Sequence, residues 1–158
     1  MPVPTNASRF AHAATDLGLE LEVREFPEGT RTAEDAARAV GVQVGQIVKS
    51  LVFMADGNPV LCLVSGANRL DAARLAAVSS AGHIARATAN EARDATGYAI
   101  GGVPPFGHAQ QLPVYCDRDL LQHEVVWAAA GAPSSVFAIE PGKLVAASGA
   151  IVTDLKEE

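Results

Sequence analysis

A lysine set in an apolar run, Ile47-Val48-Lys49-Ser50-Leu51-Val52-Phe53, is the first place in this sequence where chemistry could reside. Read as a strand, the run places Ile47, Lys49, Leu51 and Phe53 on one face and Val48, Val52 and Met54 on the other. Both faces are apolar, so the Lys49 ammonium falls among core-type neighbours. Burying an unpaired charge is costly. Such a lysine is either used or paired at a site, or it snorkels to water from a strand end. The second feature is the stretch Gly97-Tyr98-Ala99-Ile100-Gly101-Gly102-Val103-Pro104-Pro105-Phe106-Gly107-His108. Glycines allow close backbone approach and prolines fix φ. Together they hold main-chain N–H groups inward as a cradle for an anion or a carbonyl, or they simply build a rigid loop. No Gly-Lys-Ser/Thr follows, so the stretch is not a phosphate-binding P-loop.

A protein nucleophile is not evident. Ser65, Ser134 and Ser135 lack the flanking glycines of a nucleophile elbow. His12, His83, His108 and His123 are scattered, and only His108 adjoins the loop. Cys62 and Cys116, 54 positions apart, show no metal-ligand spacing, so neither a structural zinc nor a disulfide scaffold is expected, and no cofactor is expected either.

The elements that must position these residues can be read along the chain. A helix is predicted over 7–17, capped by Thr5 or Asn6, with Phe10, Ala14 and Leu17 on one face and Gly18 as its stop. Glu20 to Phe26 alternates as a strand, followed by a turn at Pro27 and Gly29. Thr32, with Asp35 three residues on, caps a second helix ending at Gly41. Strands over 47–55 and 60–65 form a hairpin about the turn Asp56-Gly57-Asn58-Pro59. Asn68 and Asp71 open an alanine-rich helix to Ala77, and Thr88 with Glu91 opens another. Three strands follow, over 112–116, 125–129 and 136–139. Pro141 then starts a last helical turn, and a short strand covers 150–152. Helices and strands mix without strict βαβ alternation, which predicts an α/β (mixed α+β) domain with a curled mixed central sheet flanked by helices. No repeat or linker divides residues 1–158, so one domain is expected.

Composition narrows the partners. Twelve Lys and Arg against eighteen Asp and Glu give a net charge of −6, the wrong balance for a protein that binds long duplex DNA. Arg69, Arg74, Arg86 and Arg93 form a locally basic stretch, which is either a small nucleic-acid contact or a solvated helix surface. No apolar run approaches the roughly 20 residues of a membrane span. Met1 to Arg9 has no apolar signal-like core, so a cytoplasmic location is expected.

The lysine strand and the Gly101-Gly102-Val103-Pro104-Pro105-Phe106-Gly107-His108 loop, taken together, resemble the YbaK/EbsC family. That family comprises free-standing aminoacyl-tRNA deacylases and the editing domain inserted in bacterial prolyl-tRNA synthetases. Val64-Ser65-Gly66 with Leu70-Asp71-Ala72-Ala73-Arg74-Leu75-Ala76, and Ala129-Ala130-Gly131-Ala132-Pro133, extend the resemblance over residues 5–152. The resemblance implies the curled mixed α/β domain. It also implies hydrolysis of the ester between a mischarged amino acid and the terminal ribose of a tRNA, usually the proline tRNA. Lys49 then helps to hold the acceptor end, and the backbone of Gly101, Gly102, Val103 and Pro104 cradles the aminoacyl carbonyl. Water, or a substrate hydroxyl or thiol, attacks, which agrees with the missing nucleophile.

The substrate pocket implied by the resemblance draws on Ser65, Pro105, Phe106, His108, Ala129, Gly131 and Ser134, with Phe26 and Phe53 as apolar walls. Cysteine-specific members have a serine at the place of Ala129 and Gly-Leu-Asp at Ser134-Ser135-Val136. This chain keeps neither, and the smaller, more apolar wall suits alanine, 2-aminobutyrate or another small side chain. The partners implied are the tRNA acceptor end and prolyl-tRNA synthetase. A non-catalytic binding module of the same fold, or a hydrolase of free esters or amides, are the competing readings.

Overall fold

The computed structural model describes residues 6–26 and 32–158; Thr5 and the turn expected at Pro27 and Gly29 lie outside them. Helix α1 (Asn6–Asp16) comes first, then strand β1 (Val23–Glu25) and helix α2 (Ala33–Val40). The hairpin follows as β2 (Val48–Ala55) and β3 (Asn58–Ser65). Next come α3 (Ala72–Ser79), β4 (Ile84–Arg86), α4 (Ala89–Thr96), β5 (Val114–Asp117), β6 (Val126–Ala129), β7 (Ser135–Ile139), α5 (Pro141–Ser148) and β8 (Ile151–Thr153).

The mixed α/β class holds, but the strands divide between two sheets instead of forming one curled sheet. Five strands run in the order β4-β2-β3-β5-β8 and three in the order β1-β7-β6. A parallel bridge between Ile47 and Trp127 links the two. In the larger sheet β3–β5 and β5–β8 are parallel, whereas β2 runs antiparallel to both its neighbours.

The alternation of β2 is realised. Val48, Val52 and Met54 face the main core, with Phe10, Leu61, Leu63 and Phe137. Leu51 and Phe53 face a second cluster with Cys62, Val64, Leu75 and Tyr115. The main core centres on the rings of Phe10, Phe106 and Phe137, whose centroids lie 4.9 to 5.9 Å apart. Cys62 and Cys116 are buried free thiols, pushed up to about 12 by burial, and are inert at neutral pH.

Local expectations met local corrections. The hairpin turn is only two residues, Asp56 and Gly57, both with positive φ, so Asn58 and Pro59 belong to β3 and pair with Ala55 and Met54. Leu17 is half exposed, because α1 stops at Asp16 and the chain turns before Leu17 can join Phe10 and Ala14 in the core. The strand expected from Glu20 shrinks to β1. Leu21, and Leu19 just before the expected strand, pack on the core outside β1. Strand β4 was not expected: three residues, Ile84-Ala85-Arg86, carry no readable alternation of their own. Thr32 and Thr88 cap α2 and α4 as anticipated, the latter in a full capping box with Glu91.

Candidate functional site

The site grows out of an incomplete sheet edge. β4 pairs only with Phe53, Met54 and Ala55 of β2, and the bridge to Trp127 lies at Ile47. Between these points the edge of β2 has no neighbouring strand, and a cavity of about 290 Å³ opens there. Its floor is Val48 to Leu51; its walls come from α2, Arg86 of β4, the loop at Ile100, Gly101 and Val103, and the two sides of the β6–β7 turn. Thus the lysine strand and the glycine-proline loop, about fifty residues apart in sequence, share one cavity.

Lys49 is half buried, and its ammonium donates to the main-chain carbonyl of Asn68. The Asn68 side chain is itself fixed: its Nδ2 donates to Asp117 at 2.8 Å and to Asp119 at 2.9 Å. Asp117 is buried and also accepts from the Ser65 and Asp119 amides, at 3.1 and 3.0 Å. A buried carboxylate therefore anchors the segment that anchors the lysine. Burial lowers the Lys49 pKa below the usual 10.5. Glu34 pulls it up, Arg69 pushes it down, and Asp117 and Arg86 follow in the same two senses.

The loop owes its shape to Gly102 and two prolines. A Cβ on Gly102 would come within 2.9 Å of the Ala132 main chain, so only glycine lets the loop lie against the β6–β7 turn. The Gly102 N–H donates to the Ala99 carbonyl at 2.9 Å, and prolines have no N–H to offer. The amides of Gly101 and Val103 have no hydrogen-bond partner among the described residues, and both residues line the cavity. The same holds for Ile100, so this part of the loop brings main-chain N–H groups without an internal partner to the cavity wall. Pro104 contributes rigidity: its carbonyl accepts from His108 Nε2 at 2.7 Å. Burial lowers the His108 pKa, against the opposing effect of that bond.

Of the residues assigned a role from sequence, Lys49, Gly101, Val103 and Ala129 line the cavity. Gly102 and Pro104 shape the loop from behind it. Phe53 points to the second core cluster, because it sits on the face of β2 that packs on Leu75 and Tyr115. Phe106 is enclosed by Phe10 and Phe137, and Pro105 is buried beside it. Ser65 is buried, with its hydroxyl donating to the Gly45 carbonyl at 2.8 Å. Phe26 packs on a third cluster around Trp127, and its amide donates to the Ser134 carbonyl at 2.8 Å. His108 is committed to Pro104, Ser134 stays in the turn, and Gly131 lies against the Asn6 carbonyl, where a Cβ would come within 2.6 Å. None of these lines the cavity.

The stretch from Ala132 to Val136, expected beside Ala129 as part of the pocket, supplies Pro133 and Val136 as walls, whereas sequence reasoning missed Trp127 and, beside the lysine, Ser50. Trp127 carries the Arg24 guanidinium 4.9 Å from its ring centroid. Only the rule that a lone tryptophan near a site is rarely idle filler could have singled it out. The basic stretch splits. Arg86 reaches the cavity and Arg69 lies close enough to affect Lys49, whereas Arg74 is paired with Asp71 at 3.8 Å and Glu158 at 2.7 Å.

Comparisons with known proteins identify the family. The family described as "Aminoacyl-tRNA editing domain" matches residues 27–147. A solved structure described as a "putative trans-editing enzyme for prolyl tRNA synthetase" superposes with a TM-score of 0.93 at 47% identity, covering 99% of this chain and 100% of the other. EbsC of Enterococcus faecalis, named "Putative Cys-tRNA(Pro)/Cys-tRNA(Cys) deacylase", is 27% identical over 88% of this chain and 90% of its own. The proline–tRNA ligase of Solidesulfovibrio magneticus is 34% identical over 82% of this chain, which spans only 22% of that ligase. With the matched segment holding β2, the loop and the β6–β7 turn together, the chain belongs to the aminoacyl-tRNA editing domain family.

Proposed function

We propose that this chain, as one editing domain over residues 1–158, is a trans-editing hydrolase that deacylates mischarged tRNA. The substrate is tRNA(Pro) carrying a small amino acid such as alanine or 2-aminobutyrate. The observation that carries this reading is the meeting, in one small cavity, of Lys49 with Gly101 and Val103, whose amides have no partner among the described residues. An ester carbonyl that becomes tetrahedral gathers negative charge on its oxygen, and two fixed N–H donors stabilise that charge without reorganising. Lys49, Arg69 and Arg86 give the mouth a positive field for the phosphates of the acceptor end, within a chain of net charge −6. The similarity to EbsC, named a Cys-tRNA deacylase, and to the trans-editing structure supports tRNA deacylation, and the small-residue preference rests on the cavity walls alone.

Size sets the specificity. A cavity of about 290 Å³ walled by Ala128, Ala129, Pro133 and Val136 admits a methyl or ethyl side chain beside the acyl carbonyl. One methylene in such a wall discriminates by about 1–3 kcal/mol. The physiological setting we assign is cytoplasmic, beside prolyl-tRNA synthetase; among the described residues no helix is long and apolar enough to cross a membrane.

The test is release of amino acid from alanyl-, 2-aminobutyryl- and prolyl-tRNA(Pro). Release from the first two with prolyl-tRNA spared supports the reading. Tight binding of charged tRNA without release would make the chain a non-catalytic binding module instead.

A further inference from the structure

Ser50 is the one buried polar side-chain group that the described structure leaves without a hydrogen-bond partner: its Oγ is covered and contacts no donor or acceptor among the described residues. Leaving a buried hydroxyl unsatisfied is costly, so a serine at this place points to a partner from outside the chain. Ser50 shares the core-facing side of β2 with Val48 and Val52. On that side it lines both the main cavity and a small adjoining chamber of about 20 Å³, whose other walls are Leu51, Val52, Arg86, Ala87, Ala92, Ile100 and Val103. That is room for one ordered water.

The backbone adds further hydrogen-bonding capacity. The Val52 carbonyl accepts from the Ala87 amide at 3.1 Å, so alternate residues of β2 turn their main-chain groups toward this edge. Ser50, two residues earlier, therefore presents its own N–H and C=O in the gap between β4 and the Ile47–Trp127 bridge. Val103 belongs to the chamber and to the cavity alike, and its amide, without a partner among the described residues, is one of the N–H groups the deacylase reading gives to the acyl carbonyl. A water held on Ser50 would thus lie beside the place where the acyl carbonyl is bound.

We propose that Ser50 is a positioning residue that holds the attacking water. The inference rests on the deacylase reading. The Oγ lone pair accepts one water hydrogen and turns a water lone pair toward the acyl carbon. The new C–O bond forms from water, the ester bond to the ribose oxygen breaks, and that oxygen takes the proton the water gives up. The products are the free amino acid and uncharged tRNA, and no other reactant is required.

The experiment combines a crystal structure of the wild-type protein at a resolution that shows ordered waters with kcat and KM for Ser50→Ala and Ser50→Thr on alanyl-tRNA(Pro). The expected result is one water within hydrogen-bond distance of Ser50 Oγ in the chamber. Ser50→Ala should lose kcat by roughly 10²-fold, the cost of misplacing a reactant by about 1 Å, with KM and melting temperature unchanged. Ser50→Thr, which keeps the hydroxyl, should recover most of the loss. A chamber without an ordered water overturns the proposal, as does wild-type kcat in Ser50→Ala. A rise in KM at constant kcat overturns it too, since Ser50 would then bind substrate. Active wild type with an indifferent Ser50→Ala removes this proposal alone. Wild type inactive on every charged tRNA removes the deacylase reading and this proposal together.

Discussion

Lys49 carries two demands at once, since its ammonium must stay near the cavity and yet not collapse onto a carboxylate. The Asn68 carbonyl meets both, because a neutral acceptor orients the ammonium without cancelling its charge. Lys49→Ala is expected to cut deacylation by about 10²-fold or more while leaving the melting temperature nearly unchanged, the signature of a group used in the transition state. Asp117 acts one step further back. Asp117→Ala strands the Ser65 and Asp119 amides and one of the two bonds of the Asn68 side chain, which should cost roughly 1–3 kcal/mol for each buried group left unsatisfied. Chemical denaturation measures that loss, and KM for charged tRNA should rise with it. His108 gives a pH signature. Burial lowers its folded pKa below 6.5, so between the two values the unfolded chain binds more protons than the folded one. Stability is therefore fully present above about pH 6.5 and declines as the pH falls through that window. Denaturation midpoints on either side of it should show the slope, and His108→Asn should flatten it. These residue-level roles were only partly legible. Lys49 was visible because an ammonium in an apolar strand breaks the pattern. Asn68 and Asp117 were not, because their partners lie about fifty residues away in sequence and nothing local marks a buried tether.

The elements explain why the cavity exists at all. β2 is eight residues long and β4 only three, so part of its edge must stay unpaired, and the loop after α4 covers that gap. The strands, caps and hairpin were readable, since alternation and capping residues act over a few positions. Strand β4 and the division into two sheets were not, because pairing partners are chosen by tertiary packing. The same limit misplaced Phe53 and Phe106. Aromatic residues next to site motifs look like pocket walls in sequence, yet here the fold spends them on the core. Gly102→Ala is the test at this scale. Its methyl would press on the Ala132 main chain, so the loop must shift away from the turn. Overpacking of this kind costs about 1–3 kcal/mol, and activity should fall further than stability does. The lone tryptophan offers a direct reading of occupancy. Trp127 lines the cavity, so its fluorescence should change on titration with a non-hydrolysable alanyl-adenosine analogue, and the change should be lost in Gly102→Ala.

For the whole molecule the governing fact is a net charge of −6 facing a polyanion. Local attraction then rests on Lys49 and Arg86 at the cavity with Arg69 nearby, set against Glu34 and Asp117, which act on the same lysine. Binding of tRNA should be weak and fall steeply with added salt. Arg86→Glu should raise KM for charged tRNA well beyond any effect of Arg74→Glu, since Arg74 is already paired with Asp71 and Glu158. Steady-state kinetics at two salt concentrations measures both effects. The single-stranded acceptor end can enter a cavity of this size, whereas a duplex cannot, which fits recognition of a splayed terminal nucleotide. The central claim is that this cavity removes small, wrong amino acids from tRNA and leaves the right one in place. The most direct measurement is the rate of amino acid release from alanyl-tRNA(Pro) and prolyl-tRNA(Pro) by the wild-type protein at equal concentration. The account predicts rapid release of alanine, with prolyl-tRNA hydrolysed no faster than in buffer; equal release from both, or from neither, would contradict it.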